Sequence, residues 1–140
     1  MAAGSAGYSG TPLPQKLGIK PGDRIVALGA PWSYADVVAP LPDGAAVSAR
    51  MPSRARFVHL FVREAAELDR RLAALDRALE DDGMIWISWP KKSSGLATDL
   101  TEHGIRRAAL PLGLVDVKVC AVDEVWSGLK LVRRVASRGR

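Results

Sequence analysis

Apolar residues in this chain follow two rhythms. Short runs at 24–28 (Arg-Ile-Val-Ala-Leu), 56–62 (Arg-Phe-Val-His-Leu-Phe-Val) and 84–89 (Met-Ile-Trp-Ile-Ser-Trp) have few polar breaks. Strands covered on both faces read this way. Between the last two runs, Ala65, Leu68, Leu72, Leu75 and Leu79 recur at steps of three and four, forming one stripe of a helix. The spacing predicts a helix over 64–82. Glu64 and Glu67 suit its positive start, and Gly83 is a natural stop. A shorter helix is expected over 32–41, with Ser33 as its cap and Pro42-Asp43-Gly44 as its exit. Asp99-x-x-Glu102 resembles a capping box and opens a third helix running to about Leu110, closed by Pro111 and Gly113. Residues 46–50 read as a weak strand. Residues 115–122 and 129–135 read as two more, joined by 123–128.

The resulting order is β-α-β-β-α-β-α-β-β. Helical connections between apolar strands imply right-handed crossovers and parallel neighbours. The last two strands lie too close for a crossover, so they pair as an antiparallel hairpin. The fold class is therefore α/β: a Rossmann-like three-layer sandwich with a mostly parallel sheet, closed by a C-terminal hairpin. Residues 1–12 are rich in Gly, Ala and Ser and read as a flexible segment. Residues 13–135 form a single domain, and 136–140 a basic tail. Leu13, Leu17 and Ile19 are placed to cover one end of the sheet, ahead of a turn at Lys20-Pro21-Gly22-Asp23.

Composition narrows the function classes. The chain has 140 residues, enough for one core. Its single cysteine, Cys120, excludes an intramolecular disulfide and a multi-cysteine zinc site. The two histidines, His59 and His103, leave any metal site dependent on carboxylates, and none is expected. The first residues have neither the basic nor the apolar region of a signal peptide. No apolar run approaches the roughly 20 residues of a membrane span. A cytoplasmic location is expected. The net charge is +5, but four arginines lie between Arg133 and Arg140, leaving +1 for the rest. The basicity thus belongs to one end, and nucleic-acid binding, if present, would have to run through that tail.

Three stretches stand out together. They are Gly7-Tyr8-Ser9-Gly10-Thr11-Pro12-Leu13 with Lys16-Leu17-Gly18-Ile19-Lys20, then Gly83-Met84-Ile85-Trp86-Ile87-Ser88-Trp89-Pro90-Lys91, then Trp126-Ser127-Gly128-Leu129-Lys130-Leu131-Val132. They resemble the bacterial family catalogued as domain of unknown function 3052, over nearly the whole chain. That resemblance implies no activity. The layout also resembles a class I S-adenosylmethionine (SAM) methyltransferase reduced to essentials. It shares the crossover pattern, a Gly-initiated strand after a long helix, a Gly-Leu step before the penultimate strand and the closing hairpin. Three features depart from such an enzyme. The turn after the first strand is Leu28-Gly29-Ala30-Pro31-Trp32, with one glycine, a proline and a bulky indole. The second strand ends in Ala49-Arg50 where an acid would bind ribose. No Asn/Asp-Pro-Pro-aromatic motif follows a central strand.

In open parallel sheets, ligands bind beyond the carboxyl ends of the strands. Four loops are expected to meet there: 29–34, 63–64, 90–97 and 123–128. The candidate ligand-binding residues are Gly29, Trp32, Trp89, Lys91, Lys92, Ser93, Ser94, Asp123 and Trp126. The lysines and hydroxyls of 91–94 suit an anion, Trp126 suits a planar group, and Asp123 or Glu124 would pair with the lysines. The loop lacks P-loop spacing. His59 lies between Phe57 and Phe61 and reads as a packed core histidine, and His103 as exposed. Cys120 reads as a buried, inert thiol. Trp86 and Trp89 differ by an odd number of positions and face opposite sides of the sheet, with Trp86 in the core. Ser33 lacks a nucleophile-elbow setting. No catalytic residue is assigned. The leading expectation is a non-catalytic module, without a cofactor, that binds a small anionic ligand or a protein partner. The alternatives are a divergent SAM-dependent methyltransferase and a nucleic-acid binder acting through the arginine tail.

Overall fold

The computed structural model describes residues 11–134. The expected flexibility of the N-terminal segment and the basic tail at 136–140 lie outside them, save for Thr11 and Pro12. Six strands form one sheet: β1 (Arg24–Leu28), β2 (Ala46–Ser48), β3 (Ala55–Phe61), β4 (Leu79–Pro90), β5 (Leu114–Ala121) and β6 (Trp126–Arg133). Their order across the sheet is β2-β1-β3-β4-β6-β5. β2, β1, β3 and β4 are mutually parallel, and β6 runs antiparallel to both β4 and β5. The expected α/β architecture with its closing hairpin is the one observed.

Helices cover both faces. α3 (Ala65–Ala78) and α4 (Glu102–Ala109) press Leu68, Leu72, Leu75, Ile105 and Ala109 onto a wholly aliphatic patch around Val58, Leu60, Ile85 and Ile87, with Trp89 at its margin. On the other face, α1 (Leu13–Leu17) and α2 (Tyr34–Val37) meet Phe57, Phe61, Trp86 and Trp126. Leu13, Leu17 and Ile19 are buried there, but Leu13–Leu17 forms a helical turn that the pattern does not announce. Each such side chain stabilises the fold by about 1.5–3 kcal/mol when fully buried.

Several boundaries differ from expectation, each for a physical reason. α2 is only Tyr34–Val37, because Pro40 and Pro42 forbid its continuation. Ser33 is its N-cap but makes no side-chain cap bond. α3 ends at Ala78 rather than at Gly83, and Leu79 turns extended to begin β4. Arg133 explains the stop. Its guanidinium donates to the Asp76 carboxylate at 2.7 Å and to the carbonyls of Asp76 at 2.7 Å and Leu79 at 2.9 Å. These are the carbonyls a helix end leaves orphaned. Arg133 therefore belongs to the folded body, not to a basic tail. Gly83 serves the strand instead: a Cβ there would lie 2.6 Å from Leu79 Cδ1, so a larger residue would force the buried Leu79 side chain to shift at the irregular start of β4.

The helix expected from Asp99 begins later. Thr101 is the N-cap of α4, its Oγ1 accepting from Gly104 N at 2.9 Å. Asp99 caps a different helix, its carboxylate accepting from Ala65 N at 2.7 Å at the start of α3. The hairpin is tighter than expected, since β6 already starts at Trp126.

Candidate functional site

The first βα turn sets the floor of a cleft. Gly29 ends β1 with φ +74°, a conformation that side chains disfavour. A Cβ there would also meet the Phe61 carbonyl oxygen at 2.9 Å. Glycine thus lets the backbones of β1 and β3 approach at their carboxyl ends. Above this point opens a cleft of about 1100 Å³, lined by Gly29, Pro31 and Trp32, by Phe61 to Glu64 with Glu67, by Leu96 to Asp99, and by Asp123, Val125 and Trp126. Small-molecule sites span roughly 300–1,000 Å³, so the space suffices for a nucleoside-sized ligand.

Its walls are aromatic. Phe61 meets Trp32 edge-on at 5.3 Å and Trp126 edge-on at 5.4 Å between ring centroids. Its charge is acidic: Glu64, Glu67, Asp99 and Asp123 face one cation, Arg63. Most of these groups hold the walls. Arg63 donates to the Ala97 carbonyl at 3.2 Å, and the Arg63 carbonyl accepts from Thr98 Oγ1 at 2.7 Å. Asp123 accepts from the backbone of Val125 at 2.8 Å and Trp126 at 2.7 Å, tightening the hairpin tip. Glu67 pairs with Arg71 at 3.7 Å. The Glu64 carboxylate is exposed and, among the described residues, makes no hydrogen bond or ion pair, while its carbonyl accepts from Leu68 N at 3.0 Å.

Beneath the floor runs a buried polar chain. Tyr34 Oη lies 2.8 Å from His59 Nδ1, and His59 Nε2 lies 2.7 Å from Ser88 Oγ. His59 is fully buried and stacks on Phe61 at 4.4 Å. Burial pushes the imidazole pKa down to about 3 and the Tyr34 phenol upward, so both stay neutral at physiological pH. A neutral imidazole has one donor and one acceptor nitrogen, which this chain uses in full. It ties α2, and with it Trp32, to the sheet. His59 is thus the packed histidine anticipated.

Of the candidate residues, Gly29, Trp32, Asp123 and Trp126 come together in the cleft. The other five do not line it. Trp89 is buried at the margin of the aliphatic face, opposite Trp86, because parity along β4 turns it away. Lys91 reaches the hairpin tip, but its ammonium donates to the Asp123 carbonyl at 2.8 Å. It binds a main-chain oxygen, not the Asp123 carboxylate. Lys92, Ser93 and Ser94 form a short 3₁₀ turn beyond it. The lysine-serine loop and the hairpin tip do share one rim, as Lys91 N also donates to the Val125 carbonyl at 2.8 Å. Phe61, Arg63, Glu64, Glu67, Thr98 and Asp99 were not singled out as ligand contacts. Their signal was position, at the carboxyl end of β3 and in the loop facing it. Cys120 is half-buried, and burial raises its thiol pKa against the pull of Lys16 and Lys118. His103 is exposed on α4. No group of three or more His, Cys, Asp or Glu among the described residues is placed to hold a metal ion. No helix among them is long and apolar enough to cross a membrane.

No family model matches the chain, and no curated protein does, so the resemblance to domain of unknown function 3052 finds no support there. Solved structures do match. The fold is similar to magnesium protoporphyrin IX methyltransferase from Synechocystis PCC 6803 with bound SAH, with a TM-score of 0.58 and 12% identity over 81% of this chain and 74% of that one. It is similar to ribosomal protein L11 methylase from Lactobacillus delbrueckii subsp. bulgaricus, with a TM-score of 0.54 and 13% identity over 87% and 77%. It also matches LepI in complex with SAM, with a TM-score of 0.51 and 12% identity over 95% of this chain, which spans 42% of LepI. Identity this low carries the fold alone. The chain has the Rossmann-like fold of class I SAM-dependent methyltransferases.

Proposed function

We propose that the cleft at Gly29 binds SAM and that the chain is a reduced SAM-dependent methyltransferase. The observation that carries this reading is the cleft's composition at that position in the fold. Four carboxylates and three aromatic rings line it against one guanidinium. An anionic ligand would be repelled there. A sulfonium would be attracted, since cations over aromatic faces gain about 0.5–2 kcal/mol. The neighbours with bound SAM or SAH support the same assignment. The lysine-serine loop, which favoured an anion, lies off the cleft with Lys91 already engaged.

The residues present fit the group. Gly29 lets the ends of β1 and β3 draw together at the floor of the cleft, while Trp32, Phe61 and Trp126 would face the sulfonium. Glu64, the carboxylate without a partner, would hold the amino group of the methionine part. When bound, SAM supplies an electrophilic methyl group. The chain's own part is to position, to exclude water with its aromatic walls, and to offer Glu67 as acceptor for a proton lost by a methylated substrate. β2 ends at Ser48 and is followed by Ala49-Arg50, with no acid there, which leaves ribose to other contacts.

Calorimetric titration with SAM and SAH tests the assignment. Binding is expected, and Glu64→Gln should weaken SAM about tenfold, a loss of roughly 1.4 kcal/mol, without lowering Tm because the side chain is exposed. No heat and no thermal shift at millimolar SAM would overturn the reading. A second reading, SAM binding without transfer, draws on Trp32, whose indole stands in the cleft itself. Trp32→Ala separates the two. Faster SAH formation from acceptor-containing extract would mark a restrained enzyme, and tight SAM binding with no SAH from either form would mark a binding module.

A further inference from the structure

A second charged region lies on the aromatic face where α1 packs on β5 and β6. Lys118 and Lys130 are directly paired across the two strands, an arrangement of like charges that destabilises a sheet. Lys118 donates its ammonium to the Lys16 carbonyl at 2.7 Å, and Lys16 donates to the Ala121 carbonyl at 3.0 Å. These two bonds fasten α1 to the hairpin. Lys130 has no such acceptor among the described residues. Its ammonium lies 3.8 Å from the place a Cβ would take on Gly18. Burial lowers its pKa, and the positive charges of Lys118 and Lys20 lower it further. Lys20 itself is exposed in the turn before β1, where its backbone N–H donates to the Asp23 carboxylate at 2.8 Å and its carbonyl accepts from Asp23 N at 3.1 Å, while its ammonium makes no bond among the described residues.

We propose that Lys20, Lys118 and Lys130 form a binding site for a phosphate group, bridged between α1 and the hairpin at Gly18. The fold tolerates cross-strand repulsion and a half-buried, unpartnered ammonium in one place, and a dianion there would relieve both. Lysines bind phosphate as point charges with rotatable donors. Gly18 keeps the approach to Lys130 clear of side chains. The site shares no residue with the Gly29 cleft, so it stands or falls apart from SAM binding. The phosphate belongs either to a free phosphorylated small molecule or to a nucleic-acid backbone.

The test is calorimetry with inorganic pyrophosphate at fixed ionic strength, against chloride, on the full chain. Wild type should bind, and Lys130→Met should weaken binding at least tenfold, while Lys92→Met should leave it unchanged. Lys20→Met, at an exposed side chain whose removal leaves the turn's backbone bonds in place, should weaken it severalfold and guards against a misfolded Lys130 variant. Without pyrophosphate, Lys130→Met should raise Tm by about 2 °C through lost repulsion. No pyrophosphate heat above chloride, or equal binding by wild type and both variants, would overturn the site. A 12-nucleotide RNA competing more strongly than pyrophosphate, with a steeper salt dependence, would identify a nucleic-acid backbone as the source. Weaker competition would identify a small molecule.

Discussion

The two faces of the sheet are built from different chemistry. Under α3 and α4 the packing is aliphatic, with Trp89 alone at its margin. Under α1 and α2 the core holds Tyr34, Phe57, Phe61, Trp86 and Trp126, with His59 and Ser88 buried among them. Hydrocarbon packing is non-directional and tolerates repacking. A hydrogen-bonded polar chain demands one geometry. The first face therefore holds the sheet together, and the second fixes the positions of groups at its rim. Trp86 Nε1 donating to the Leu17 carbonyl at 2.9 Å anchors α1, and the Tyr34–His59–Ser88 chain anchors α2. The aromatic walls of the cleft and the lysine site both sit on this more exacting side.

The comparison breaks most sharply with acid. His59 has a folded pKa of about 3 against an unfolded value of 6.5. Below pH 6.5 the unfolded chain gains a proton that the native state refuses, so stability falls as pH falls. The slope is about 1.4 kcal/mol per pH unit, giving a loss of about 2 kcal/mol between pH 6.5 and 5, before most carboxylates titrate. Urea unfolding across that window measures it. His59→Gln should be less stable at pH 7 yet flat with pH. A variant that keeps the slope would move the acid sensitivity elsewhere and leave the two faces alike in this respect.

The contrast also governs what the amino-acid pattern reveals. Continuous apolar runs mark β1, β3 and β4, and the Leu68-Leu72-Leu75 stripe marks α3, because both periodicities follow from burying one surface. The end of α3 was not legible. Gly83 looks like a stop, but Arg133, 57 residues from Asp76, supplies the partners that end the helix. Asp99 reads as the cap of the helix beside it, while its carboxylate caps one 34 residues earlier. In the cleft, Gly29 and Trp126 announce themselves by residue type. Arg63, Glu64 and Thr98 do not, because polar residues after a strand look like any solvated turn until the fold sets two such turns face to face.

Asp99 sharpens the comparison at the rim of the aliphatic side. Asp99→Ala removes the acceptor for Ala65 N and frees the loop that closes the cleft. A stability loss of about 1.5 kcal/mol is expected, the upper part of the range for a helix cap, with weaker SAM binding alongside. Asp99→Asn should recover most of the stability. If the alanine variant lost stability but bound SAM unchanged, the 96–99 loop would be a brace for α3 and not a wall of the site.

The smallest effects come from the lysine pair at 91 and 92, where neighbours in sequence differ in what they touch. Lys91 is half-buried with its ammonium on the Asp123 carbonyl, and Lys92 is exposed. Lys91→Ala should cost roughly 0.5–1 kcal/mol, the net worth of one such bond, and loosen the hairpin tip that carries Trp126. Lys92→Ala should stay within about 0.5 kcal/mol of wild type, as surface substitutions do. Paired denaturation curves resolve the difference, and tryptophan fluorescence reports whether Trp126 moves. Equal and negligible effects at both positions would mean the tip is held without the lysine side chain, by the Asp123 carboxylate on the Val125 and Trp126 amides and by the backbone bond from Lys91 N to the Val125 carbonyl. The cleft wall would then owe nothing to the ammonium of Lys91.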